Sequence, residues 1–198
     1  MTLSEQAVVQ ARRGHGVPVL ETERLTLRAP GRDDVKAITL LANDRRIAEN
    51  TARIPYPYGI EDADRFVASV NQQDGEAAFL ITCADTLIGA CGVELREPGP
   101  EIGYWLGVPF WGKGYATEAV RALIDHAFAD LKYEALYAGA RVSNPASRRV
   151  LEKCGFQWMG VRLSRIRAIN SAAPIDRFRL DRGLWASLKS WGRVKRVA

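Results

Sequence analysis

Along residues 23–29, ERLTLRA, apolar and polar positions alternate with a period of two, which predicts a short strand. GRDDVKAITLLAND, residues 31–44, switches to a helical pattern with Asp33 and Asp34 near its positive end. The Pro- and Tyr-rich RIPYPYG interrupts at 53–59, and a second helix is expected over roughly residues 61–72. From Ala77 the period returns to two: AAFLITC, a turn at Ala84-Asp85, TLIGACGVELR, a turn at EPGP, then EIGYWLGV. Short strands joined by tight turns read as an antiparallel meander.

Apolar residues then fall at 116, 119, 120, 123, 124, 127, 128 and 131, the stripe of an amphipathic helix. ALYAGARV, residues 135–142, is again a strand. NPASRRVLEKCGF is a short helix with Asn144 as N-cap, Pro145 in its first position and Gly155 as its stop. WMGVRLSRI and DRFRL follow as strands, and LWASLKSW as a terminal helix or turn. A meander passing into a strand–helix–strand unit predicts one α/β domain, a mixed and mostly antiparallel sheet flanked by helices. That domain is expected over 21–190, between a loosely held extension, 1–20, and a basic tail, 191–198.

Composition narrows the class. With 198 residues, 47% hydrophobic and 26% charged, the chain suits a single soluble domain. Neither a membrane-spanning run nor a secretory leader is legible, so a cytoplasmic protein without membrane contact is expected. Cys83, Cys91 and Cys154 form no C-x-x-C pair and read as free thiols that fill core space. The net charge of +5 is unevenly spread. Arg141, Arg148 and Arg149 cluster, Arg162, Arg165 and Arg167 follow, and Lys189, Arg193, Lys195 and Arg196 end the chain. Such patches suit nucleic acid, an acidic protein surface or a phosphorylated cofactor. No zinc-finger or RNA-recognition signature accompanies them, which weighs against nucleic acid.

GVPFWGKGYATEA, residues 107–119, carries the candidate chemistry. Gly107, Gly112 and Lys113 satisfy most of a nucleotide P-loop, but Gly114 stands where a hydroxyl should hold magnesium. A dinucleotide fingerprint fails too, because Thr117 occupies a position that needs Gly or Ala. What remains is a strand-to-helix junction whose backbone N–H groups face an anion, with two glycines admitting close approach and Lys113 adding charge. A pyrophosphate site without a metal fits these residues; a plain glycine turn into a helix is the bland alternative.

Three blocks, EIGYWL, WGKGYATEA and N-x-x-S-R-R-x-L-E-K-x-G-F, stand in order and at suitable spacing. In them the chain resembles the GNAT superfamily of acyl-CoA N-acyltransferases, within it the RimJ/RimL-like branch, from about Glu23 to Trp185. The family motif Q/R-x-x-G-x-G/A is matched at Gly114 and Ala116, with Trp111 at the Q/R position. The resemblance implies a V-shaped splay between the strand ending near Leu106 and the one starting near Ala135. The pantetheine arm of acetyl-CoA would then lie along residues 105–108, with Leu106, Gly107 and Val108 at its edge. Gly112, Lys113, Gly114, Tyr115, Ala116 and Thr117 would hold the pyrophosphate, and Asn144 would stand beside the arm. It further implies acetyl transfer to a primary amine, either a protein N-terminus or a small molecule, by a monomer or homodimer.

Many members place a tyrosine acid where this chain has Leu151, which leaves Ser147 to hold the departing sulfur. Glu101, Glu94 and Asp176 are candidate bases, and the Val108 N–H, at an expected bulge, is a candidate oxyanion donor. Each carboxylate is equally readable as a solvated strand-end group. His15 and His126 look uninvolved. The acceptor would be gripped by the loop holding Arg53, Tyr56 and Tyr58 and by the region 162–175, where Arg162, Arg165 and Arg167 suit an acidic partner. The missing tyrosine also permits a non-catalytic acyl-CoA-binding module.

Overall fold

The computed structural model describes residues 17–70 and 76–192. The start of the expected extension, the last two residues of the expected 61–72 helix and most of the basic tail lie outside the described residues. Eight strands form one sheet: β1 (Leu20–Glu21), β2 (Thr26–Arg28), β3 (Ala77–Cys83), β4 (Thr86–Glu94), β5 (Glu101–Leu106), β6 (Ala135–Arg141), β7 (Gln157–Ile166) and β8 (Ser171–Asp181). The helices are α1 (Val35–Ala42), α2 (Arg45–Ala48), α3 (Ile60–Ser69), α4 (Tyr115–Ala129), α5 (Pro145–Lys153) and α6 (Arg182–Gly192). Strand order is β1-β2-β3-β4-β5-β6-β8-β7, antiparallel throughout except for the parallel pair β5–β6. This is the mixed, helix-flanked α/β sheet expected from the chain.

Period-two alternation sends side chains to opposite faces, and each face has its own cluster. Leu27, Phe79, Ile81, Ile102, Leu106, Leu136, Ala138 and Phe178 pack with the α4 residues Val120, Leu123, Ala127 and Phe128 and with Leu151 of α5. Leu80 and Ala90 face the other way, onto Val35, Ile38 and Ala42 of α1, Ala63 of α3, and Tyr58. Phe79, Phe128 and Phe178 are fully enclosed, each worth roughly 1.5–3 kcal/mol of burial.

The sheet's one parallel pair, β5 and β6, is also short. Among the described residues their parallel register holds only Glu101 with Tyr137 and Ile102 with Ala138. β5 stays tied to β4 through Leu106↔Gly89, and β6 stays tied to β8 through Arg141↔Ile175. The two halves of the sheet follow their own twist and part beyond Ile102 and Ala138. A wedge-shaped gap opens there with a free edge on each side.

Several boundaries differ from expectation for local reasons. The strand expected over 23–29 is β2 and starts at Thr26, because Thr22 N–H and Oγ1 both bond to Leu25 O (2.9 and 3.1 Å) and make a turn of the preceding residues. β5 stops at Leu106, because Val108-Pro109-Phe110 winds into a 3₁₀ turn closed by Phe110 N–H to Gly107 O (2.9 Å). No bulge interrupts the β4–β5 register, so the expected bulge near Gly107 is replaced by this turn. β8 begins at Ser171 instead of 176; Pro174 hid its first half, yet lies just past the last β6 partner, where a missing N–H is tolerated. The Ala84-Asp85 turn is present with both residues at positive φ (46° and 63°), as a two-residue hairpin requires.

Arg28 clasps Asp34 with two hydrogen bonds (2.8 and 2.6 Å), and the Gly31 N–H adds a third (2.8 Å). These bonds, the Arg28 guanidinium foremost, hold the Asp34 carboxyl below its usual range. A carboxylate depressed in the folded state adds stability above its unfolded pKa and loses it as pH falls through the folded value. Asp34→Asn is therefore expected to lower Tm at neutral pH and to shrink the further loss of Tm on acidification below about pH 4, read by thermal melts across pH.

Candidate active site

Gly107 leads out of β5 with its N–H on Ile88 O (2.8 Å), and a Cβ there would strike Leu41 of α1. The indole of Trp111 folds back to donate to Leu106 O (2.7 Å), fixing the turn into the glycine loop. Gly112 and Gly114 sit at φ +76° and +83°, a region that side chains disfavour by about 1–2 kcal/mol. Gly114 caps α4, whose ladder begins with Glu118 N–H to Gly114 O (3.1 Å). The amides of Tyr115, Ala116 and Thr117 thus have no acceptor within the helix and open onto the loop. Arg24 locks this junction from outside: Nη1 donates to Lys113 O (3.0 Å), Nε to Glu118 Oε2 (2.7 Å), and its guanidinium stacks 4.7 Å from the Tyr115 ring. Tyr115 turns its hydroxyl toward Cys83 (3.7 Å), so it offers the loop its amide and not its phenol. The residues present fit a diphosphate, with amides, a helix start and Lys113 at hand and open space where a Cβ at Gly112 would stand.

One wall of the gap belongs to α5. Asn144 caps that helix, its Oδ1 accepting from Ser147 N–H (3.2 Å), which leaves its amide NH₂ for another partner. Ser147 Oγ stands 2.8 Å from the hydroxyl of Tyr104, which also reaches Ser147 O (3.1 Å). Burial pushes the Tyr104 hydroxyl well above its usual range, so it stays a neutral donor. Tyr104 did not stand out in the sequence; its place in the alternation of β5, on the face that meets α5, is the signal that finds it. Tyr104 thus brings a hydroxyl from β5 to Ser147 of α5, while Leu151 of the same helix is fully buried in the core. Asn144→Ala removes a cap and is expected to cost about 1 kcal/mol of stability, read by denaturant unfolding.

The opposite face carries the acids. Glu94 and Glu101 are direct partners across β4 and β5, a like-charge juxtaposition that destabilises unless countered. It is countered here. Arg177 reaches from β8 to Glu101 with two bonds (3.0 and 2.9 Å), while Arg53 and Arg96 (2.9 Å) both pair with Glu94. The Arg177 side chain crosses β6 at Gly139, where a Cβ would lie 3.1 Å from its Nη1 and 3.0 Å from Ile175. This ion pair sits at the vertex of the gap, just below the parting of the strands. Glu94 and Glu101 are thus together on one face, and Ser147 with Tyr104 on the other.

The family model for the acetyltransferase (GNAT) domain matches residues 24–157 of this sequence. The chain is a GNAT acetyltransferase. It is 32% identical over 150 residues to the uncharacterised N-acetyltransferase p20 of Bacillus licheniformis, covering 72% of this chain and 84% of that protein. With the ribosomal-protein-serine acetyltransferase of Escherichia coli it shares 29% identity over 143 residues, 68% of this chain and 80% of the relative, in keeping with the RimJ/RimL-like branch. The crystal structure of spermidine N-acetyltransferase from Vibrio cholerae, in complex with CoA and spermine, superposes with a TM-score of 0.71 at 23% identity, covering 83% and 99% of the two chains.

Other expected residues of this acetyltransferase are buried, paired or exposed elsewhere in the fold. Asp176 is mid-strand, 4% exposed, and held by Trp158 Nε1 (2.8 Å) and Arg148 (3.5 Å) on the α5 face, apart from the two glutamates. Tyr58 is a core anchor and not a pocket wall; burial raises its hydroxyl to about 12. Tyr56 is exposed and Arg53 is committed to Glu94. Arg162 is exposed on β7, Arg165 holds Asn170 (2.7 Å), and Arg167 lies 4.0 Å from Asp62. The two segments expected to grip the acceptor do meet, through Arg167 N–H to Ala52 O (3.0 Å). His126 is buried against Phe79 with Nδ1 on Asp130 (2.8 Å), outside the gap. The thiols are free, and burial raises Cys91 to about 12 and Cys154 to about 11. A groove of about 800 Å³ runs along α4 between Leu20–Arg24 and Lys153, but it meets the glycine loop only at Gly114 and Thr117. Among the described residues no helix is long and apolar enough to cross a membrane.

Proposed function

We propose that the chain transfers an acetyl group from acetyl-CoA to a primary amine, a protein N-terminus or a small molecule, by direct attack in a ternary complex. One observation carries the reading: a sheet that parts between β5 and β6 with unpaired helix-start amides at its mouth. In this reading Gly112 to Thr117 hold the pyrophosphate, with Lys113 as the added charge. The pantetheine arm pairs as an extra strand with the free edge of β5 up to Leu106 and meets Val108 at the turn beyond it, the Gly107 N–H being held by Ile88 O, and Asn144 donates to it from α5. Leu106 O already accepts from Trp111, so the arm shares that carbonyl.

The two faces supply the proton traffic. The amine nitrogen attacks the thioester carbon, forming a C–N bond as the C–S bond breaks. The proton lost from nitrogen passes to Glu101, directly or through water, with Glu94 behind it. Ser147, held in place by Tyr104, donates a hydrogen bond to the departing sulfur, and the thiolate takes up a proton from solvent as Glu101 gives up the one it received. Holding amine and thioester in line contributes up to ~7–11 kcal/mol of barrier lowering, and the proton transfers roughly 10²–10⁴-fold.

Thiol release from acetyl-CoA with a panel of amines tests the reading. Turnover on at least one amine, without added metal, is expected. Tight CoA binding with no turnover on any amine would instead favour a binding module. Tyr104→Phe is expected to lower kcat about 10-fold with the KM for acetyl-CoA little changed, a split that steady-state kinetics reads.

A further inference from the structure

Arg141 ends β6 beside the open part of the gap. Ala138 and Ala140 face the α4 cluster, so Arg141 lies on the other face, which it shares with Glu101 and Trp105. Its Nη1 donates to Glu49 O (2.6 Å), at the loop that follows α2. Its Nε is buried without an acceptor. Two other guanidinium groups, those of Arg179 and Arg182, also carry such an orphan, but each has a carboxylate, Asp181 at 2.6 Å and Glu134 at 3.3 Å. Among the described residues Arg141 has none: Glu49 pairs with Arg45, Glu94 with Arg53 and Arg96, and Glu101 with Arg177.

A half-buried guanidinium held in place but left without a counter-ion is a costly arrangement unless an anion arrives with a ligand. The position says which ligand. Arg141 stands three residues beyond Ala138, the last β6 residue paired with β5, and on the face that bears Glu101. Acetyl-CoA enters this reading from the loop side, where Lys113 and the helix start already meet its diphosphate. An anion at Arg141 therefore belongs to the acceptor.

Resting on the acetyltransferase reading above, we propose that the acceptor is a primary amine carrying a carboxylate a few bonds away, and that Arg141 receives that carboxylate. The planar fork of arginine suits a carboxylate and would fix the amine's distance from the thioester. Arg162, Arg165 and Arg167 do not take this part, being spread along the exposed β7 and its turn.

The test compares acceptors that differ only in the acid. Tyrosine against tyramine represents free amino acids. A peptide amide with N-terminal Asp against one with N-terminal Asn represents protein ends. Both pairs are read by thiol release, and by calorimetric binding with and without CoA. In at least one pair the wild-type protein is expected to favour the carboxylate member by 10-fold or more. Arg141→Gln should bring that ratio close to one by raising KM for the acidic member, and Arg141→Lys should restore part of it. Which pair responds identifies the source of the carboxylate. A wild-type ratio near one in both pairs, or a ratio that survives Arg141→Gln because both members slow equally, overturns the proposal. Preference in binding without transfer would retain the carboxylate site and reject the transferase reading; transfer without preference would do the reverse.

Discussion

Gly114→Val is expected to weaken CoA binding by about 100-fold, near 2.8 kcal/mol, while the protein remains folded. Gly114 holds φ +83° at the cap of α4, a conformation worst for a β-branched residue. A Cβ there would also lie 3.3 Å from Arg24 Nη2, pressing on the clasp that holds Lys113 O and Glu118. The chain relieves both by turning the amides of residues 112–117 out of their common direction. Calorimetry gives the loss of affinity, and a thermal melt separates it from unfolding. Gly103→Ala, at a site where a Cβ would meet nothing within 4 Å, is the matched control and should bind CoA far more tightly than the valine variant.

Glu101→Gln is expected to reduce kcat by roughly 10²–10³-fold, because the proton acceptor is lost while most of its geometry is kept. Glutamine retains one oxygen for Arg177, so the bridge across Gly139 survives in part and CoA affinity should hold within a few-fold. Glu94→Gln should cost less, since Glu94 faces Arg53 and Arg96 at the outer side of the pair. If the two variants lose equal activity, both glutamates serve the sheet and not the reaction.

The sequence made the meander, the long helix and the capped helix at Asn144 legible because each has a strong period and a clear terminator. The glycine loop was legible for a related reason: two glycines a residue apart before an amphipathic stripe have few uses other than backbone approach to a ligand. The start of β8 was hidden by Pro174, whose missing N–H matters only when a neighbouring strand needs it. The site itself was half legible. Ser147 and Glu101 come from motif positions, but Tyr104 and Arg177 become partners only through sheet order and register. β8 lies beside β6, far from it in sequence, and no spacing rule reveals that its arginine will cross Gly139 to reach β5. Arg141 was visible as one charge in a basic cluster. Its lack of a counter-ion among the described residues is a property of the folded charge map alone.

Hydrogen exchange with and without CoA tests the central claim most directly. CoA is predicted to protect the amides of residues 112–117 and of 105–108, with a smaller effect at Asn144, in buffer containing chelator. Protection confined to other segments, such as the groove along α4, or no protection despite saturating CoA, would contradict it.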